Sequence, residues 1–220
     1  MIYKRITLLC GHYGSGKTNV AVNMAYDLKQ QYSDVVIADL DIVNPYFRTK
    51  DSKEDLEKRG ITLISSEYAG TNVDIPAMPQ QMYMITDNKD LHAVIDVGGD
   101  DRGALALGRL VPSIIEENDY EMLFVINCYR PLTRDAESTL EVMREIEEAC
   151  KCKFTAIVNN SNLGNETKTE DVLNSVSYAN EVSRLTGLPI KCTCVYGEIY
   201  DSVKDQIDNV FSLDLQSKIN

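Results

Sequence analysis

The segment Gly11-His12-Tyr13-Gly14-Ser15-Gly16-Lys17-Thr18 fits the pattern Gly-x-x-x-x-Gly-Lys-[Ser/Thr], and no other feature constrains this chain as tightly. An apolar run, Ile6–Cys10, leads into it. Asn19-Val20-Ala21-Val22-Asn23-Met24-Ala25 leads out of it with helical character. Glycines at 11, 14 and 16 let the main chain curl with its N–H groups turned inward, which makes a nest for oxyanions. A helix starting near Lys17 adds the positive end of its dipole. The lysine of such a loop reaches the β- and γ-phosphates of a triphosphate, and the hydroxyl beside it binds magnesium. The expected contact set is therefore Gly11, His12, Tyr13, Gly14, Ser15, Gly16, Lys17, Thr18 and Asn19, with Lys17 also acting in catalysis and Thr18 on the metal.

Short apolar runs alternate with helical patterns along the rest of the chain. Strands are expected at Ile6–Cys10, Val35–Leu40, Ile61–Ser65, Ala93–Val97, Met122–Asn127, Phe154–Asn159 and Lys191–Tyr196. Helices are expected near Lys17–Gln31, Lys53–Lys58, Ala77–Thr86, Ala104–Glu117, Thr133–Ala149 and Thr169–Thr186, with a further amphipathic helix from Asp201 through Val203, Ile207, Val210 and Phe211. Strands that are apolar throughout, rather than alternating, belong to a parallel sheet covered on both faces. Sustained strand–helix alternation gives a doubly wound α/β fold of about seven strands. No repeat or linker divides the chain, so residues 1–220 read as one domain.

A triphosphate site needs carboxylates for its metal and water, and strand ends supply them. Asp39 and Asp41 close Val35–Asp41, and Asp96 closes Ala93–Asp96. Sites in open α/β sheets lie at the carboxyl ends of strands, so both acidic sets converge on the phosphate loop. Asp96-Val97-Gly98-Gly99 also reads as Asp-x-x-Gly, in which Gly99 offers its N–H to a γ-phosphate and the loop relaxes when that phosphate leaves. Asn159-Asn160-Ser161-Asn162 ends another strand. A guanine-reading Asn-Lys-x-Asp segment needs an acid where Asn162 stands. An amide pairs instead with the adenine edge, which favours ATP over GTP. Asn159 and Asn160 equally suit an ordinary tight turn.

Composition sets limits. With 34 acidic and 22 basic residues the net charge is −12, and no cluster of Lys and Arg offers the basic face that nucleic acid requires. No apolar run is long enough to span a membrane, and the N-terminal apolar stretch is too short for a secretory leader, so a cytoplasmic protein is expected. Cysteines stand at 10, 128, 150, 152, 192 and 194. The pairs Cys150/Cys152 and Cys192/Cys194 admit a four-thiolate metal site, although Cys-x-Cys is not the usual zinc spacing and buried sheet core is the plainer reading.

Together these landmarks resemble the MinD/ParA/CobQ group of P-loop proteins. Asp39-Leu40-Asp41 is similar to that group's Asp-x-Asp after the second strand, Asp96–Gly99 to its Walker B and second switch, and Asn159 to its base-contact position. The resemblance covers nearly the whole chain, and Ile37–Arg48 and Asp96–Asp101 further resemble small bacterial ATP-binding members. It implies ATP with magnesium, Asp41 as the residue positioning the attacking water and binding metal, and Asp96 as a second metal-side carboxylate. It also implies an ATP-driven homodimer, and adjacency of the loop-bearing strand and the Asp96 strand. One departure stands out. The group's second lysine, early in the loop, is replaced by His12, either a pH-sensitive substitute or a plain surface residue. Arg48 and Arg102 are candidates for the missing positive charge, and Tyr46-Phe47 for a partner surface.

Three functions compete at this stage. The first is a magnesium-dependent ATPase that switches an unidentified protein partner. The second is an ATP-dependent ligase of the amide-forming or dethiobiotin-synthetase kind. The third is an ATPase of metallocofactor maturation.

Overall fold

A computed structural model of the chain describes residues 1–40, 52–65, 80–98, 103 and 107–214. Among these, eight strands form one sheet: β1 (Ile6–Cys10), β2 (Val35–Leu40), β3 (Thr62–Ser65), β4 (His92–Val97), β5 (Tyr120–Ile126), β6 (Ala156–Asn159), β7 (Ile190–Tyr196) and β8 (Val210–Leu213). Their order is β3-β2-β4-β1-β5-β6-β7-β8, and every pairing is parallel. β1, β2 and β6 are buried at every position, as continuous apolar strands should be when helices cover both faces.

The described helices are α1 (Lys17–Lys29), α2 (Lys53–Lys58), α3 (Met84–Asp87), α4 (Val111–Glu117), α5 (Ala136–Cys150), α6 (Thr169–Thr186) and α7 (Gly197–Val203). On one face of the sheet, Val20, Ala21, Met24 and Leu28 of α1 pack on Leu9, Ile37, Val94 and Val125. On the other, Val111 and Ile114 of α4, Val142 of α5 and Val182 of α6 pack on Leu8, Ile95, Phe124 and Ile157. Local chemistry fixes several helix ends. Asp135 caps α5 by accepting from Ser138 N at 2.9 Å, and Gly187, at φ 73°, turns the chain out of α6.

The doubly wound parallel architecture expected from the sequence is present, and the predicted α2 and α6 have the observed bounds. α1 ends at Lys29, two residues short of the expected Gln31. The C-terminal helix expected from Asp201 is a correction. Helix α7 stops at Val203, Asn209 takes a left-handed φ of 55°, and Val210–Leu213 becomes an eighth strand paired with β7. Val203, Ile207, Val210 and Phe211 mimic helical spacing, but Phe211 and Leu213 share the α1 face while Val210 joins Val172 and Val195 opposite, the two-residue period of a strand.

The cysteines also separate. Cys192 and Cys194 lie on the α1 face of the sheet, whereas Cys150 and Cys152 lie on the opposite face beside Cys10. A sheet stands between the two Cys-x-Cys pairs, so they make no four-thiolate site; all six thiols are free. No group of three His, Cys, Asp or Glu among the described residues is placed to hold a metal. None of the described helices is long and apolar enough to cross a membrane.

Candidate functional site

Successive helices leave the sheet on opposite faces at one place. α1, which follows β1, covers one face, and α5, which follows its neighbour β5, covers the other. The loops leaving these two strands therefore diverge and open a crevice at their carboxyl ends, the switch point where open α/β sheets take ligands. The Gly-rich loop follows β1 and residues 127–133 follow β5, and the two are joined by Arg130 Nε donating to Gly14 O at 2.8 Å.

Backbone requirements explain the glycines. Gly14 and Gly16 hold φ of 76° and 84°, a region that L side chains enter at a cost. Gly11 has a different reason: a β-carbon there would collide with the Val125 carbonyl of β5. α1 begins at Lys17 with no side-chain cap, so its first N–H groups stay directed at the loop's concavity.

Three side chains from three elements donate to carbonyls of this loop. Lys17 Nζ reaches His12 O at 3.2 Å, Arg130 Nε reaches Gly14 O at 2.8 Å, and Asn160 Nδ2 reaches Ser15 O at 2.7 Å. In a trans peptide the C=O and N–H point opposite ways. Holding Ser15 O from outside therefore turns the Gly16 N–H inward. Ser15 Oγ and Asn160 Oδ1 are buried without a hydrogen-bond partner. Such atoms are rare in native interiors and mark a place where a ligand or water completes the set. The curled backbone, the buried Lys17 and the Ser15 hydroxyl, which can donate, fit a polyphosphate, whereas Asn160 Oδ1 accepts only and suits a donor such as water. Residues 11–19 would hold the polyphosphate, and its charge would be met by Lys17.

The carboxylates lie where the strand-end argument puts them. Asp96 is fully buried in β4, directly beside Leu9 of β1, and Asp39 is its in-register neighbour on β2. Strands β1 and β4 are thus adjacent, as expected. In-register residues of a parallel pair face the same way, so both carboxylates share the sheet face covered by α1, the helix that carries Thr18. That is the oxygen-rich, hard-donor chemistry that magnesium takes. Asp41, Gly99, Arg48, Arg102, Tyr46 and Phe47 lie outside the described residues.

Other predicted residues take more local partners. His12 Nδ1 lies 2.9 Å from Tyr13 O, and the Tyr13 side chain is exposed. Asn19 O accepts from Asn23 Nδ2 at 2.8 Å. Asn159 is buried, its Nδ2 donating to Ser175 Oγ at 2.9 Å and its Oδ1 accepting from Ser161 N at 3.3 Å. Asn162 donates to Asn160 O at 2.7 Å and accepts from Tyr196 Oη at 2.8 Å. Burial, aided by the neighbouring Cys194 sulfur and opposed by the Arg130 guanidinium, pushes the Tyr196 phenol up to about 12, so it stays a donor to Asn162 at neutral pH.

One participant escapes sequence reasoning. Arg130 carries no motif; its only signal is a position just past the strand beside the loop-bearing strand. Past β4, Gly103 packs against Gly98, and a β-carbon there would lie 2.7 Å from Gly98 N.

In fold the chain is similar to cell division protein FtsY from Thermotoga maritima, with a TM-score of 0.56 and 22% identity over 86% of this chain and 61% of that one. FtsY from Mycoplasma mycoides gives 0.56 and 18% identity over 84% and 58%. The signal recognition particle 54 kDa protein from Aeropyrum pernix K1, solved in complex with GDP, gives 0.50 and 18% over 86% and 40%. The chain spans about three fifths of the length of the FtsY structures. The likeness is one of fold, a parallel α/β sheet with helices on both sides. No family model matches the sequence, and no curated protein matches it.

Proposed function

We propose that the protein binds ATP with magnesium in the loop Gly11–Thr18 and hydrolyses it as a switch acting on a partner protein. The observation that carries this reading is the loop itself, a curled Gly-rich backbone whose carbonyls accept from Lys17, Arg130 and Asn160 at the switch point of a parallel sheet. Thr18, Asp96 and Asp41 take the metal in this proposal, Lys17 offsets charge on the transferred phosphoryl group, and Asp41 orients the attacking water. Gly99 senses the γ-phosphate. Asp39-Leu40-Asp41 and Asp96–Gly99 support the finer likeness to the MinD/ParA/CobQ group, and with it an ATP-dependent homodimer.

The base is the open choice, because one structure of similar fold was solved with GDP. The adenine reading rests on position 162, where an asparagine stands in place of the acid that accepts from guanine N1 and N2. Competition between MgATP and MgGTP for the wild-type protein tests it directly. Preferential displacement by MgATP, with slow release of inorganic phosphate, supports the proposal. Preference for MgGTP overturns the base assignment, and binding without any turnover overturns the hydrolytic half.

A further inference from the structure

We propose that Arg130 is a phosphate-binding residue, the second cation of the nucleotide site. The inference rests on the nucleotide reading above and extends it to a residue outside the motif. Its first support is position. Arg130 lies on the loop after β5, the strand beside the one that bears the Gly-rich loop, at the switch point.

The second support is the way the side chain is held. Nε donates to Gly14 O at 2.8 Å, and Nε and Cδ lie 3.6 and 3.7 Å from where a β-carbon on Gly14 would stand, so the arginine stem packs alongside this residue at ordinary contact distance. Its backbone is equally fixed. Arg130 is extended ahead of Pro131, its N–H reaches Asn127 O at 3.2 Å, and its carbonyl accepts from Thr133 N at 3.1 Å. Asn127 Nδ2 in turn bonds Asn162 O at 3.3 Å, joining this loop to the one that carries Asn160.

The third support is what the guanidinium leaves over. An arginine presents five N–H donors in a rigid fork. One of them is engaged at Gly14, and the two Nη groups make no hydrogen bond or ion pair among the described residues. A fixed fork with spare donors suits phosphate oxygens better than a mobile ammonium does. In a chain of net charge −12, a polyanion also needs local cations, and Lys17 alone offers one charge.

The test uses the full chain and a ligand series of MgATP, MgADP, AMP and adenosine, with Arg130→Gln and Arg130→Lys. Arg130→Gln is expected to weaken MgATP and MgADP by at least about tenfold, the scale of a charge-assisted hydrogen bond, and to flatten the dependence of affinity on salt. Adenosine binding stays unchanged, and Arg130→Lys recovers part of the loss. Unaltered MgATP affinity in Arg130→Gln, with wild type binding normally, overturns the role of Arg130 and leaves the nucleotide reading standing. Equal losses for every ligand and both variants, with faster amide exchange over residues 12–16, would make Arg130 a latch on the loop and also overturn the proposal. A wild-type protein that binds neither nucleotide nor inorganic triphosphate removes both.

Discussion

Asn160 closes directly over Gly16: its Nδ2, which donates to Ser15 O at 2.7 Å, occupies the space that a β-carbon on Gly16 would need. The loop after β6 and the phosphate loop therefore fit together only because residue 16 has no side chain, and because its φ of 84° is open to glycine. Gly16→Ala should strain the backbone and push the Asn160 amide off Ser15 O. The expected outcome is loss of MgATP binding by at least about tenfold, with far-UV circular dichroism retained. Equilibrium dialysis of the variant against wild type checks it.

Asn160→Asp separates shape from hydrogen bonding at the same contact. The side chains are nearly the same size, but a carboxylate has no N–H to give Ser15 O and sets two acceptors against each other. It also brings negative charge to a site meant for a polyanion. Affinity for MgATP should fall more than in Asn160→Ala, in which repulsion is absent. The reverse ranking would contradict a donor role for this amide.

Gly11→Ala tests stability rather than binding. The added methyl would meet the Val125 carbonyl, a backbone atom in the middle of the sheet that has no rotamer to escape into. Overpacking of this kind costs about 2 kcal/mol, read as a lowered urea midpoint with an unchanged slope.

At the opposite end of the sheet, Arg5 donates through its guanidinium to Glu117, and to Leu91 O at 2.7 Å. The Arg5 hydrogen bond, opposed by burial and joined by Lys89, holds the Glu117 carboxyl below its ordinary value of 4.5. A depressed folded-state pKa means the pair contributes its full stability above about pH 4.5 and loses it as pH falls through the lower folded value. Urea midpoints measured from pH 6 down to pH 3 should drop more steeply for wild type than for Glu117→Gln. At neutral pH, Arg5→Ala leaves the largely buried carboxylate with the exposed Lys89 as its remaining cation, at a cost of about 2 kcal/mol.

Much of this architecture is legible in the sequence. The phosphate loop and the parallel sheet follow from apolar runs and glycine spacing, because each is a local pattern with one favourable geometry, whereas the adjacency of the Asp96 strand was expected only from the likeness to the MinD/ParA/CobQ group. The eighth strand was not legible: Val203, Ile207, Val210 and Phe211 satisfy helical spacing, and only pairing with β7 decides otherwise. Cys150 and Cys192 read as possible partners until the sheet is seen between them. Arg130 and the contact of Asn160 with Ser15 O are distant in sequence from the motif they serve, 116 and 145 residues along the chain, and no local pattern announces such pairs.

The claim beneath all of this is that Lys17 and the curled backbone around it bind a nucleoside triphosphate. Isothermal titration of wild type and Lys17→Ala with MgATP tests it most directly. The account predicts saturable heat for wild type and none for Lys17→Ala, with both proteins unfolding at similar temperatures. Heat that persists undiminished in Lys17→Ala, or that is missing from wild type with MgATP and MgGTP alike, would contradict it.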